Sequence, residues 1–132
     1  MKPWIFGLTL ILATNVAISS DYVFRNDERP TYNNIITVEQ LQADEHASRI
    51  VLIDVRLAED FSADPILIPG AVYRDPEDIE QWADQLPVDA KIVVYCVKGK
   101  WVSQKVASYL HDQGMDVQSL EGGIEAWKQT QD

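Results

Sequence analysis

One side chain able to do covalent chemistry stands apart by its setting. Cys96 is the only cysteine in the chain, and it follows directly on Lys91-Ile92-Val93-Val94-Tyr95, the strongest strand pattern present. The loop after it, Val97-Lys98-Gly99-Lys100-Trp101-Val102, sets two lysines around a glycine. Gly99 lets the backbone turn without a Cβ penalty, so successive amides can face inward as an anion nest. The helix that follows would add the positive end of its dipole, and Lys98 and Lys100 add full charges. Such a setting favours thiolate over thiol, and the thiolate is the nucleophile. The loop alone is also compatible with Cys96 as a small core residue and with a solvated lysine turn.

The rest of the chain limits what that thiol can serve. At 132 residues the protein has room for one domain with a real core. Its 46% hydrophobic and 24% charged residues are ordinary for a globular protein. The formal charge of −10 argues against nucleic acid and anionic membranes, because the overall field repels phosphate. Residues 1–19 read as a secretory signal peptide: Met1-Lys2, then the apolar run Trp4 to Ala13, then the small residues Ala17 and Ser19. Its removal would take away Lys2 and no acid. The expected location is therefore outside the cytoplasm, in the periplasm, with membrane contact only if this segment is retained. An odd cysteine in an exported protein points to intermolecular pairing or to a free, reactive thiol.

The elements needed to position Cys96 are legible in order. Residues 20–34 are polar and read as a loose lead-in; the domain is expected over residues 35–130. Thr37 with Gln40 has the form of a capping box, starting a short helix through Ala43. Ile50 to Ile53 is a β-branched strand, and Ala71-Val72-Tyr73 a shorter one. Asp75-Pro76-Glu77-Asp78 is a helix start, and that helix carries Ile79, Trp82 and Ala83 and ends before Pro87. After the strand 91–95, Val102, Val106, Tyr109 and Leu110 recur at helical spacing, with Gly114 as C-cap. Val117 to Leu120 is a further strand, and Gly122-Gly123 turns into a last helix with Ile124 and Trp127. Strands alternating with helices predict an α/β domain, its mostly parallel sheet flanked by helices on both faces.

Four motifs in this order carry a resemblance. Leu52-Ile53-Asp54-Val55-Arg56 with Asp60-Phe61, Ile68-Pro69-Gly70-Ala71, Val93-Val94-Tyr95-Cys96 with its loop, and Leu120-Glu121-Gly122-Gly123-Ile124 with Trp127 resemble the rhodanese family of sulfurtransferases. The resemblance implies a single rhodanese-like domain with Cys96 as catalytic nucleophile. It also implies an active-site loop of Val97, Lys98, Gly99, Lys100, Trp101 and Val102. Sulfane sulfur would pass from a small donor such as thiosulfate to a thiol or cyanide acceptor through a persulfide, with no cofactor. Asp54 and Arg56 are then supporting residues that either brace the loop or touch substrate, and Arg56 could pair with Asp60 at i+4. Arg74 either faces the site or forms a surface salt bridge.

Departures from the family pattern bear on the donor. Ile66-Leu67 stands before Ile68 where relatives often have Gly-His, and Trp101 is bulky where many carry a small residue. Trp101 could narrow the mouth, offer an apolar wall, or dock on a partner. A Cys-x5-Arg phosphatase or arsenate reductase needs arginine six positions after the nucleophile, and Val102 occupies it. The remaining alternative is a sulfur carrier or protein-binding module loaded by a protein partner. His46 and His111 lie far apart and read as surface residues, and with one cysteine they make no zinc set.

Overall fold

The computed structural model describes residues 22–44 and 50–131, so the signal segment read in residues 1–19 and His46 lie outside it. Five strands form one wholly parallel sheet: β1 (Ile35–Ile36), β2 (Ile50–Asp54), β3 (Val72–Tyr73), β4 (Lys91–Tyr95) and β5 (Asp116–Leu120), in the order β1-β5-β4-β2-β3. The helices are α1 (Val38–Asp44), α2 (Ala58–Ala63), α3 (Ile79–Trp82), α4 (Trp101–Asp112) and α5 (Gly123–Gln129). Short 3₁₀ turns at Pro76–Asp78 and Ala83–Gln85 flank α3, so the helix expected after Asp75 is broken into three pieces. Its start behaves as read: the Asp75 side chain accepts from the Glu77 amide at 2.9 Å. The capping box also forms, with Gln40 N donating to Thr37 Oγ1 at 3.1 Å and Thr37 N to Gln40 Oε1 at 3.0 Å.

Strand β4 explains why Cys96 is held firmly. It pairs with β2 on one side and β5 on the other, and Ile92, Val93, Val94 and Tyr95 are all fully buried. Alternate side chains go to opposite faces. Val93 and Tyr95 join Leu52, Leu41, Ile68, Leu120 and Ile124 in one core. Ile92, Val94 and Cys96 join Ile53, Ile79, Trp82, Val106 and Leu110 in the other. Thus α1 and α5 cover one face and α3 and α4 the other, and the cysteine lies on the α4 side.

Two features were not legible. Strand β1 has only two residues and gains its place by pairing Ile35 and Ile36 with Ser119 and Leu120. The lead-in is not loose over its described part. Phe24 is 2% exposed and stacks on Trp101 with ring centroids 5.8 Å apart. The buried Lys105 ammonium donates to Asn26 Oδ1 and, at 2.8 Å, to the Glu28 carbonyl. Tyr32 Oη donates to the Val117 carbonyl at 2.5 Å. Polar composition hid a segment whose few aromatic residues are its anchors. Phe24→Ala should therefore destabilise the protein by about 3 kcal/mol in urea unfolding, as for a buried aromatic truncation. A loss below about 0.5 kcal/mol, the range of surface substitutions, would mean the segment does not belong to the core.

Candidate active site

The chain runs outward from β2 to β3, then returns to lay β4 on the other side of β2. That reversal leaves a crevice at the C-terminal ends of β2 and β4, the place where open α/β sheets bind ligands. A pocket of about 250 Å³ occupies it. Arg56, Leu57 and Asp60, which follow β2, form one side; Cys96, Val97, Lys98, Lys100, Trp101 and Val102, which follow β4, form the other. Cys96 is only 5% exposed. Among the described residues no group of three or more His, Cys, Asp or Glu gathers to hold a metal ion.

The loop is shaped by its contact with α5. Ile124 N donates to the Cys96 carbonyl at 2.9 Å, and Glu125 N to the Val97 carbonyl at 3.1 Å. In a planar trans peptide the carbonyl and the next amide point in opposite directions. With those two carbonyls turned to α5, the N–H groups of Val97 and Lys98 face away from it. Gly123 (φ +59°) allows this approach, because any Cβ there would strike the Cys96 carbonyl and stand 2.6 Å from that of Val97. Gly99 (φ +70°) sits equally close, a Cβ there falling 2.6 Å from the Leu120 carbonyl. Its role is therefore backbone approach, not pocket lining. Gln104 of α4 donates to the Gly99 carbonyl at 3.3 Å and steadies the turn from the other side.

Arg56 is 2% exposed and committed on every edge. Its Nε and Nη2 hold the fully buried Asp54 at 3.0 and 2.7 Å, Nη1 donates to the Asp64 carbonyl at 2.8 Å, and Nη2 to that of Ile66 at 2.9 Å. Burial pulls its pKa down, but the hydrogen bonds and attraction of Asp54 outweigh this and carry it upward. The expected Arg56–Asp60 pair gives way to this one, since Asp54 shares the buried strand end while Asp60 faces the pocket. The bracing role is the one the geometry supports. Tyr73 Oη also donates to the Arg56 carbonyl at 2.9 Å, its pKa pushed up to about 12 by burial and then by Asp75. Tyr95 Oη accepts from the Ile68 amide at 3.1 Å and ties the Ile68-Pro69-Gly70-Ala71 turn to strand β4.

Other residues fall differently from expectation. Arg74 is exposed, its Nη1 donating to the neighbouring Tyr73 carbonyl at 3.0 Å, and it is not among the pocket-lining residues. Only its backbone contributes, Arg74 N donating to the Asp54 carbonyl at 2.9 Å. Trp101 is an apolar part of the pocket wall, its ring stacked with that of Phe24 and its centroid 4.0 Å from the Arg29 guanidinium. His111 is exposed, with its ring edge-on to Tyr32. Leu57, Asp60 and Ser103 escaped the sequence reading as site residues. Ser103 Oγ lies 3.2 Å from Cys96 Sγ and 3.1 Å from Ser119 Oγ. Its place in the first turn of the helix after Cys96 was the available signal.

The α5 contact carries a direct test. Gly123→Ala should stay folded by circular dichroism yet lose about a hundredfold in turnover, since small displacements of reacting groups cost that much. Activity within about twofold of wild type would mean that loop position does not limit the chemistry.

Comparison with known proteins agrees with this architecture. Residues 37–130 match the family model for the rhodanese-like domain. The thiosulfate sulfurtransferase GlpE of Pseudomonas savastanoi pv. phaseolicola is 40% identical over 81 residues, 61% of this chain and 74% of that protein. The GlpE protein of Shewanella oneidensis is 34% identical over 93 residues, covering 70% and 89%. Among solved structures, a rhodanese-like domain protein from Staphylococcus aureus superposes with a TM-score of 0.63 at 26% identity, over 72% of this chain and 91% of that one. The chain belongs to the rhodanese family.

Proposed function

We propose that this rhodanese-family transferase moves sulfane sulfur from a small anionic donor such as thiosulfate to a thiophilic acceptor, through a persulfide on Cys96. The observation that carries the reading is a lone cysteine in the crevice at the strand ends, with Lys98 and Lys100 on the pocket wall. In the first step the Cys96 thiolate attacks the outer sulfur of thiosulfate. A new S–S bond forms, the old one breaks, and its electron pair leaves with sulfite. In the second step cyanide or a thiolate attacks the outer sulfur of the persulfide, and the pair of the breaking S–S bond returns to Cys96. Splitting the transfer in two is the advantage of covalent catalysis. Both steps pass negative charge along the sulfur chain, which the lysines and inward amides would stabilise.

The net charge of −10 opposes capture of an anionic donor at long range, while the two lysines favour it locally. Local charge should win above about 0.1 M salt, where the distant acidic charge is already screened and further salt can only weaken the attraction of the two close lysines. The kcat/KM for thiosulfate, assayed with cyanide, should therefore fall as ionic strength rises beyond that. In the Lys98→Ala, Lys100→Ala double variant it should be lower by about tenfold at low salt and lose that dependence. Cys96→Ser should abolish turnover and keep the fold. Efficiency that rises with salt in that range would contradict the role of the lysines. Negligible turnover at every ionic strength, with a protein persulfide still loading Cys96, would replace the enzyme reading by that of a sulfur carrier.

A further inference from the structure

Beneath the nucleophile lies a feature that the reaction as written does not use. Ser103 and Ser119 are 0% and 1% exposed, and their hydroxyls run in line from Cys96: Sγ to Ser103 Oγ at 3.2 Å, then Ser103 Oγ to Ser119 Oγ at 3.1 Å. Ser103 belongs to the first turn of α4 and Ser119 to β5, so the line joins two elements that the fold holds rigidly on either side of the loop. We propose that this pair is a reversible hydroxyl relay, in which Ser103 donates to the Cys96 thiolate and Ser119 positions Ser103 to do so.

The argument rests on what a hydroxyl can do. It carries one donor and two acceptor sites, and its hydrogen rotates to suit its neighbours. While Cys96 is a thiol, its S–H and the Ser119 hydroxyl both donate to Ser103. Once Cys96 is a thiolate, the Ser103 hydroxyl turns to donate to sulfur, while Ser119 still donates to Ser103 and holds it in place. No O–H bond is broken: the one bond to hydrogen that breaks is S–H, its proton passes to solvent on the pocket side that Cys96 lines, and the buried serines only reorient. A hydrogen bond to an ionised group is stronger than a neutral one, so the thiolate gains more than the thiol. In the persulfide the negative charge sits on the outer sulfur, and the need at Sγ lapses. Ser103 therefore assists most where Sγ recovers charge as the leaving group of the second step. That consequence rests on the persulfide reading; the relay itself rests only on Cys96 ionising.

The test reads ionisation directly, without any sulfur donor, so its outcome is independent of whether sulfur transfer takes place. The rate of Cys96 alkylation by iodoacetamide is followed against pH in the reduced full chain. The charged groups around Cys96 are Arg56 and Asp60 after β2 and Lys98 and Lys100 in its own loop, with Arg29 behind Trp101; none is altered by the variants. Ser103→Ala should move the profile to higher pH by about one unit, a tenfold change, as for loss of one hydrogen bond to a charged group. Ser119→Ala should move it less, and Ser119→Thr, which restores the hydroxyl in a strand tolerant of β-branching, should return it to wild type. A Ser103→Ala profile that does not move would overturn the relay. A Ser119→Ala profile identical to wild type would overturn the part assigned to Ser119. If Ser103→Ala is shifted, cyanide discharge of its preformed persulfide should also be slower by about tenfold, the same lost interaction read as a rate.

Discussion

Two backbone hydrogen bonds, from the first turn of α5 to the carbonyls of Cys96 and Val97, decide the direction in which the whole loop faces. Backbone groups in a tight loop cannot all point inward, and those that point outward need donors elsewhere. By supplying those donors, α5 leaves the adjacent amides free for an anion. The arrangement needs Gly99 and Gly123, both at positive φ, because there the loop and the start of α5 approach too closely for side chains. It also explains why α5, remote in sequence from Cys96, is integral to the site.

The opposite wall is organised by one guanidinium. Arg56 ties the end of β2 to the segment 64–66 through the Asp64 and Ile66 carbonyls, just before the Ile68-Pro69-Gly70-Ala71 turn. Asp54 neutralises it, and removing either member of so buried a pair would strand a charge at a cost of about 3–5 kcal/mol. This geometry makes Arg56 a brace that happens to line the pocket. The free positive charge available to a ligand comes instead from Lys98 and Lys100, which are exposed. A protein of −10 net charge thus keeps its cationic character where the sulfur would be.

Much of this was legible in the residues. Patterns that depend on local chemistry survived intact: the Thr37–Gln40 box, the buried run of β4, and the glycine turns beside Cys96 and before α5. What failed depended on distance in three dimensions. Arg56 and Asp60 have helical spacing, but helix α2 begins only at Ala58, so Arg56 sits in extended chain and turns back to Asp54. Arg74 follows the edge strand β3, on the far side of β2 from Cys96. Phe24 was obscured by polar neighbours, although a single aromatic is enough to anchor a strap. Ser103 and Ser119 are 16 positions apart, and only the α4–β5 packing brings their hydroxyls together.

The central claim is that Cys96 carries sulfur covalently in the pocket formed by these constraints. Intact-protein and peptide mass spectrometry after incubation with thiosulfate tests it most directly. The account predicts a single added sulfur, located on Cys96 and released by cyanide as thiocyanate. Turnover of thiosulfate with Cys96 unmodified throughout, or a stable sulfur adduct that cyanide cannot remove, would contradict it.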